Sequence, residues 1–192
     1  MPTLRAMMLE FPDDPACDTL DRQYMLGDAL LVAPVFRHDH VVDYYLPNGR
    51  WTHFLTGEVR EGGRWQRESY DFLSLPLWVR PNSIIPVGSN ENRPDYDFAD
   101  GVTFHLFELA DGVSVSRIVP NLQGETELMM RAHRDGNRLH LEVTGATKPW
   151  SALLRGIEEV TAVTNGTATV TDRGVLLQPD KNTAQLTVQL SW

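Results

Sequence analysis

Cysteine is nearly absent: Cys17 stands alone among 192 residues. A lone thiol excludes an internal disulfide framework and any thiolate metal cluster, and it fits a reducing compartment. Long apolar runs are missing as well. The longest, Ala29 to Phe36, falls far short of the ~20 residues that a membrane-spanning helix needs. Acidic Glu10, Asp13 and Asp14 arrive before any apolar stretch long enough to serve as the core of a secretory signal, so no such leader is expected. Positive charge is scarce. Lys and Arg number 17 against 26 Asp and Glu, for a net charge of −9. The deficit is spread along the chain, and no basic stripe offsets it, which argues against nucleic acid or an anionic membrane as a partner. These absences together predict a soluble, cytoplasmic protein.

Catalytic signatures are also wanting. The sequence holds no Gly-x-Ser-x-Gly nucleophile elbow, no glycine-rich phosphate loop, and no Cys/His pair arranged for nucleophilic chemistry. His38 and His40 stand two apart at the end of an apolar run, where a metal ligand pair would stand. "RHDHVVD" supplies no third ligand and reads as a solvated turn, so no metal is expected. His53, His105, His133 and His140 are scattered among apolar runs and carry no pattern.

What is present is β-structure. Apolar residues make up 42% of the chain, enough for a packed core. In "RLHLEVT", Leu139, Leu141 and Val143 alternate with His140, Glu142 and Thr144, the period of a half-buried strand. "AQLTVQL" repeats that period. Turn dipeptides punctuate the runs. Pro47-Asn48-Gly49 predicts a hairpin within Val41 to Gly57, Asp111-Gly112 one within Val102 to Val119, and Asp135-Gly136-Asn137 one within Glu127 to Gly145. Strands at this spacing argue for antiparallel sandwiches. The polar stretch Gly88 to Gly101 reads as a connector between two domains.

The opening residues differ. "TLRAMMLEF" reads as one strand, and "DDPACDTLDRQYML" as a helix with Asp14 at its N-cap and Pro15 at its first position. Gly27 then falls where a helix C-cap glycine belongs, before the buried strand "ALLVAPV". One strand and one helix cannot bury both of their faces unaided. Leu4, Met7, Leu9 and Phe11 are thus expected to lack partners, and the first ~25 residues to fray, pack differently or mediate association, a homo-oligomer included.

Several of these segments resemble glycoside hydrolase family 31, the retaining α-glycosidases, and above all its bacterial α-xylosidases. The likeness rests on "RAMMLEFPDDPACDTLDRQYMLGDALLVAPV", on "YYLPNGRWTHFLTGE" and "SLPLWVRPNSIIPVG", and on "NRPDYDFADGVTFHLFELADG". It implies that residues 1–28 are the last strand and helix of a (β/α)8 barrel. Residues 29–90 would then be a proximal C-terminal β-domain, and residues 91–192 a distal β-sandwich. The implied fold class is mainly β, with a strand–helix remnant of a TIM barrel ahead of two antiparallel β-domains. The implied reaction is double-displacement hydrolysis of a non-reducing α-linked xylosyl residue, without a cofactor. The family's catalytic aspartates lie on motifs that no stretch of this sequence matches, so the resemblance carries no catalytic residue onto it.

Two sets of residues remain as candidates. Glu10, Asp13 and Asp14 form a carboxylate cluster where a barrel active site would stand, though adjacent acids beside Pro15 are more simply a helix cap. Five tryptophans invite a carbohydrate-platform reading. Trp51 and Trp78 lie inside strands and are expected in the core, whereas Trp65 and Trp192 are the better candidates for an exposed sugar contact; Trp150 is the fifth. A stand-alone carbohydrate-binding or assembly module is the competing reading, and α-glucosidase the competing substrate class.

Overall fold

The computed structural model describes residues Thr3 to Ser191 and divides the chain into two compact units, Met1–Pro81 and Asn82–Trp192. The first unit holds strands β1 (Leu4–Ala6), β2 (Tyr24–Leu26), β3 (Leu30–Val32), β4 (Val41–Leu46), β5 (Arg50–His53), β6 (Val59–Glu61), β7 (Arg64–Ser69) and β8 (Leu77–Val79). A single helical turn, α1 (Met7–Glu10), follows β1. Six of these strands form one antiparallel sheet in the order β1-β2-β3-β8-β5-β6, while β4 and β7 pair as a separate ribbon.

The opening segment departs from the sequence reading in three ways. The first strand is only three residues long before the chain coils into α1. Asp14 does cap, its carboxylate accepting from the Ala16 amide at 3.1 Å with Pro15 next in line, but the helix it starts is one 3₁₀ turn, Pro15–Cys17. The expected helix through Leu26 does not form, because the burial beyond the turn has period two: Gln23 and Met25 point inward, at 4% and 0% exposure, while Tyr24 and Leu26 are half-buried. Tyr24 to Leu26 pair with β1 as β2. Gly27 is therefore no helix cap. It sits at φ +63° in the β2–β3 turn, its amide donating to Thr3 O at 2.7 Å, and nothing crowds a Cβ there, so the left-handed backbone alone favours glycine. Among the described residues the segment thus forms a sheet edge with two single helical turns. Nor is the segment wholly without partners: Met7, Cys17 and Met25 are buried in the core of the first unit, and Phe11 packs against it, while Leu4, Met8 and Leu9 stay exposed.

Pro47-Asn48-Gly49 marks a corner and not a hairpin turn. β4 and β5, on either side of it, do not pair with one another; β4 pairs with β7 and β5 with β6. The two ladders continue one another across a bend, Leu46 facing Arg64 and Arg50 facing Glu61, with the true reversal at Phe54 to Gly57. Opposite the corner stand Gly62 and Gly63. A Cβ on Gly62 would come within 1.8 Å of Pro47 O, so the two backbones approach as closely as they do because no side chain stands between them.

The second unit contains β9 (Ser83–Val87), β10 (Val102–Phe107), β11 (Ser114–Pro120), β12 (Thr126–Asp135), β13 (Arg138–Gly145), β14 (Trp150–Arg155), β15 (Val160–Thr164), β16 (Gly166–Thr171), β17 (Gly174–Pro179) and β18 (Gln185–Leu190). Two five-stranded sheets, β16-β17-β14-β10-β9 and β11-β12-β13-β18-β15, bury one shared core. The alternation read in "RLHLEVT" and "AQLTVQL" holds, since Leu139, Leu141, Val143, Leu186, Val188 and Leu190 all point into that core. The Asp135-Gly136-Asn137 hairpin forms, with β12 and β13 closing on Asp135 and Arg138. The Asp111-Gly112 turn does not make a hairpin; it carries the chain from β10 in one sheet to β11 in the other. β10 instead pairs with β14, and this pair is parallel, as the crossover through β11, β12 and β13 allows. β9 pairs with β10, so the connector 88–101 lies inside the second unit, between two strands of one sheet.

Candidate functional site

Two of the carboxylates singled out by sequence, Glu10 and Asp14, are held by different partners. Glu10, at the end of α1, is held between two guanidiniums: it pairs with Arg5 through one oxygen and with Arg80 through the other at 2.7 Å. Arg80 in turn lies over the rings of Phe11 and Trp51, 5.4 and 6.0 Å from their centroids. Asp14 spends one oxygen on the Ala16 cap and accepts from the Tyr45 hydroxyl at 3.0 Å with the other. Asp13 is exposed. Acid catalysis in a retaining glycosidase uses two carboxylates ~5–5.5 Å apart, facing a bond between them. Here Glu10 and Asp14 are each engaged at both oxygens by different partners.

A denser constellation was not foreseen. Its hub is Glu68 on β7, whose carboxylate accepts from the hydroxyls of Tyr44 at 2.6 Å and Tyr70 at 2.8 Å and pairs with Arg60 at 2.7 Å. The Trp78 indole donates to the Tyr44 oxygen at 3.2 Å, and Arg60 lies 5.1 Å over the Trp78 ring while also clasping Glu58 at 2.6 and 2.9 Å. Burial pushes the Glu68 carboxyl up, but bonds from Arg60, Tyr44 and Tyr70 outweigh it and hold the group below the usual carboxylate range. Burial, followed by the bond to Glu68, drives the Tyr44 hydroxyl far up. Burial likewise raises Tyr70 to about 12.

His53 completes the cluster. It is 3% exposed, packs edge-on to Trp78 at 4.9 Å, and binds at both nitrogens. The Thr56 amide can only donate, so Nδ1 accepts from it at 3.2 Å, and Nε2 carries the proton that goes to Leu75 O at 3.1 Å. Burial lowers the His53 pKa, which favours this neutral tautomer. The Glu68 carboxylate and both tyrosine hydroxyls are engaged within the cluster. Its chemistry is that of a brace, binding the β4–β7 ribbon to β5 and β8 of the large sheet. Sequence signals for it were faint: Tyr44, Glu68 and Tyr70 lie on opposite sides of the corner, and only the ladder register brings them together.

Other candidates are quickly placed. Cys17 is buried, and burial, with Asp14 and Asp18 nearby, raises its thiol to about 11, which leaves it protonated and inert. His38 is exposed and His40 half-buried at φ +61°; among the described residues no three His, Cys, Asp or Glu side chains are grouped to hold a metal. His105 is buried at 4% exposure, while His133 and His140 meet hydroxyls of Ser114 and Thr187 on an outer face. Trp51 and Trp78 are core, as expected, and Trp150 is 8% exposed at the edge of a groove of about 500 Å³ between residues 143–150 and 178–184. Trp65 is 57% exposed. Trp192 lies outside the described residues. No described helix is long and apolar enough to cross a membrane.

Known proteins share this succession of β-domains. Residues 1–85 match the family described as glycosyl hydrolase family 31 C-terminal domain, and residues 97–190 match alpha-xylosidase YicI, C-terminal domain. The chain is 36% identical over 149 residues to the alpha-xylosidase XylQ of Lactiplantibacillus pentosus, an overlap covering 76% of this chain and 19% of that protein. It is 28% identical over 146 residues to alpha-glucosidase 2 of Bacillus thermoamyloliquefaciens, covering 74% and 18%. The cycloalternan-forming enzyme of Listeria monocytogenes has the same fold, with a TM-score of 0.80 at 22% identity over 98% of this chain and 20% of that one. The chain therefore spans about a fifth of the length of the relatives it matches. A six-stranded sheet with its ribbon, then a ten-stranded sandwich, fall under two neighbouring matches, and this chain belongs to glycosyl hydrolase family 31, of whose members it carries the C-terminal β-domains.

Proposed function

We propose that this chain supplies the C-terminal β-region of a retaining α-glycosidase of the α-xylosidase type and has no hydrolytic activity of its own. The parent reaction is the release of non-reducing α-linked xylosyl residues by double displacement, with the reacting carboxylates on a catalytic barrel and the β-domains bracing it. One observation carries this reading. The acidic side chains best placed by sequence to react, Glu10 and Asp14, are consumed by Arg5, Arg80, Ala16 and Tyr45. The exposed Leu4, Met8 and Leu9 beside them give a barrel an apolar face to cover. The α-xylosidase class is favoured over α-glucosidase by the higher identity to XylQ at nearly equal coverage.

A chimera tests it. Replacing the matched C-terminal region of XylQ with this chain should leave a folded enzyme that hydrolyses an aryl α-xyloside. A folded chimera that has lost α-xyloside hydrolysis contradicts the proposal.

A further inference from the structure

The outer face of the β4–β7 ribbon does no work in the brace, and its composition is unusual. Cross-strand register places Tyr45 opposite Trp65 and Asp43 opposite Arg67, so these four side chains share one face. Trp65 is 57% exposed, among the more solvent-facing large side chains of the first unit. It is not loose. The Tyr45 ring lies 5.7 Å from the indole at 53°, and Tyr45 is itself fixed three ways: its hydroxyl donates to Asp14 at 3.0 Å, its amide donates to Gln23 Oε1 at 2.7 Å, and its carbonyl accepts from Gln23 Nε2 at 2.8 Å. Beside the indole, Asp43 pairs with Arg67 at 3.4 Å and with Arg37 at 3.9 Å. The face is thus one supported indole with the partly exposed Asp43–Arg67 pair two residues further along it.

We infer that Trp65 is the stacking platform of an accessory oligosaccharide site, with Asp43 and Arg67 binding the hydroxyls of the stacked sugar. A pyranose presents an apolar face of C–H bonds and a rim of hydroxyls. The indole takes the first, and an ionised carboxylate–guanidinium pair supplies strong acceptors and donors for the second. Asp is depleted from the cores of protein interfaces whereas Trp, Tyr and Arg are enriched there, so a protein contact is an outcome that the test separates. The class of sugar, a neutral xylo- or gluco-oligosaccharide, rests on the α-glycosidase reading; the site itself does not.

Calorimetric titration of the full chain with xylotriose, maltotriose and isomaltotriose tests the inference. At least one should bind in the millimolar range or tighter. Trp65→Ala should weaken that binding by about tenfold or more, and Trp65→Phe, which keeps an aromatic face, by less. Asp43→Ala should weaken it without altering the fold, which amide exchange would verify, since Asp43 is exposed. Absence of binding by all three sugars, or binding that Trp65→Ala leaves unchanged, overturns the inference. So does a sedimentation shift in Trp65→Ala with sugar affinity intact, which would make this face a contact between copies. Failure here leaves the XylQ chimera untouched, and failure of the chimera leaves sugar binding by this face to be read independently.

Discussion

The two units solve the same problem with different materials. The second unit buries aliphatic residues from two facing sheets, among them Leu128, Met130, Leu139, Leu141, Val175, Leu177, Leu186 and Val188. The first also buries aliphatic Leu31, Val42 and Leu46, but sets among them Tyr44, Tyr45, Trp51 and Trp78 with three sulfur-bearing side chains, Met7, Cys17 and Met25. Around those rings it adds the Glu68–Arg60–Tyr44–Tyr70 cluster, the Glu10 pairs and the Gln23 clasp. An aliphatic sandwich is stabilised by area removed from water, and its cost of substitution follows volume. A small sheet with a bent ribbon has less area to bury, and it relies on directional bonds whose loss strands a partner in a dry place.

Substitutions break this comparison in a graded order. Trp78→Ala removes a fully buried ring that touches Tyr44, His53 and Arg60. It should cost about 3–5 kcal/mol, seen as accelerated amide exchange across β5 and β8 while the β12–β13 hairpin keeps its protection. Acid should act on the second unit too, beyond what the burial-lowered His53 contributes in the first. Burial, then the charges of Arg155 and Arg173, depresses His105 to about 4 in the fold, against ~6.5 when unfolded. The unfolded chain binds the extra proton between those values, so the second unit should lose stability as pH falls from ~6.5 to ~4, by up to about 3 kcal/mol, and no further from this group below that. Chemical denaturation at pH 7 and pH 4.5, with His105→Gln as the control that flattens the difference, reads this out.

Glu68→Gln sharpens the first unit's side of the contrast. It keeps the shape of the hub but removes the charge that Arg60 and two hydroxyls converge on, and should cost about 2 kcal/mol by urea unfolding. If it costs nothing, the cluster is not a brace. Smallest is Asp14→Ala, which deletes a cap over one 3₁₀ turn and should lower stability by about 1 kcal/mol.

The same contrast governs what could be read in advance. The second unit's strands are legible because each carries its own evidence: alternation in Arg138 to Thr144 and in Gln185 to Leu190 fixes the inward face without reference to any neighbour. Turn chemistry fixed the pairing at Asp135-Gly136-Asn137, but at two other turns it was legible only as a place where the chain bends. Pro47-Asn48-Gly49 and Asp111-Gly112 both bend it, yet which strands then pair is decided by distant partners, Gly62 and Gly63 in one case and β12 and β14 in the other. The helix expected after Asp14 failed for a related reason. Its cap and proline are real, but pairing of Tyr24 to Leu26 with β1 outweighs local propensity. Of the candidate residues, the core role of Trp51 and Trp78 and the exposure of Trp65 were legible. The fate of Glu10 was not, since Arg80 reaches it from 70 positions along the chain. The Glu68 cluster left almost no trace, because a hydrogen-bonded network across a corner has no period.

The account turns on the division of labour between a β-region that braces and a barrel that reacts. Incubation of the purified chain alone with an aryl α-xyloside tests it most directly. The predicted result is no release of the aryl group above the uncatalysed rate, with or without Glu10→Gln. Clear turnover by the wild-type chain, abolished by Glu10→Gln, would contradict it.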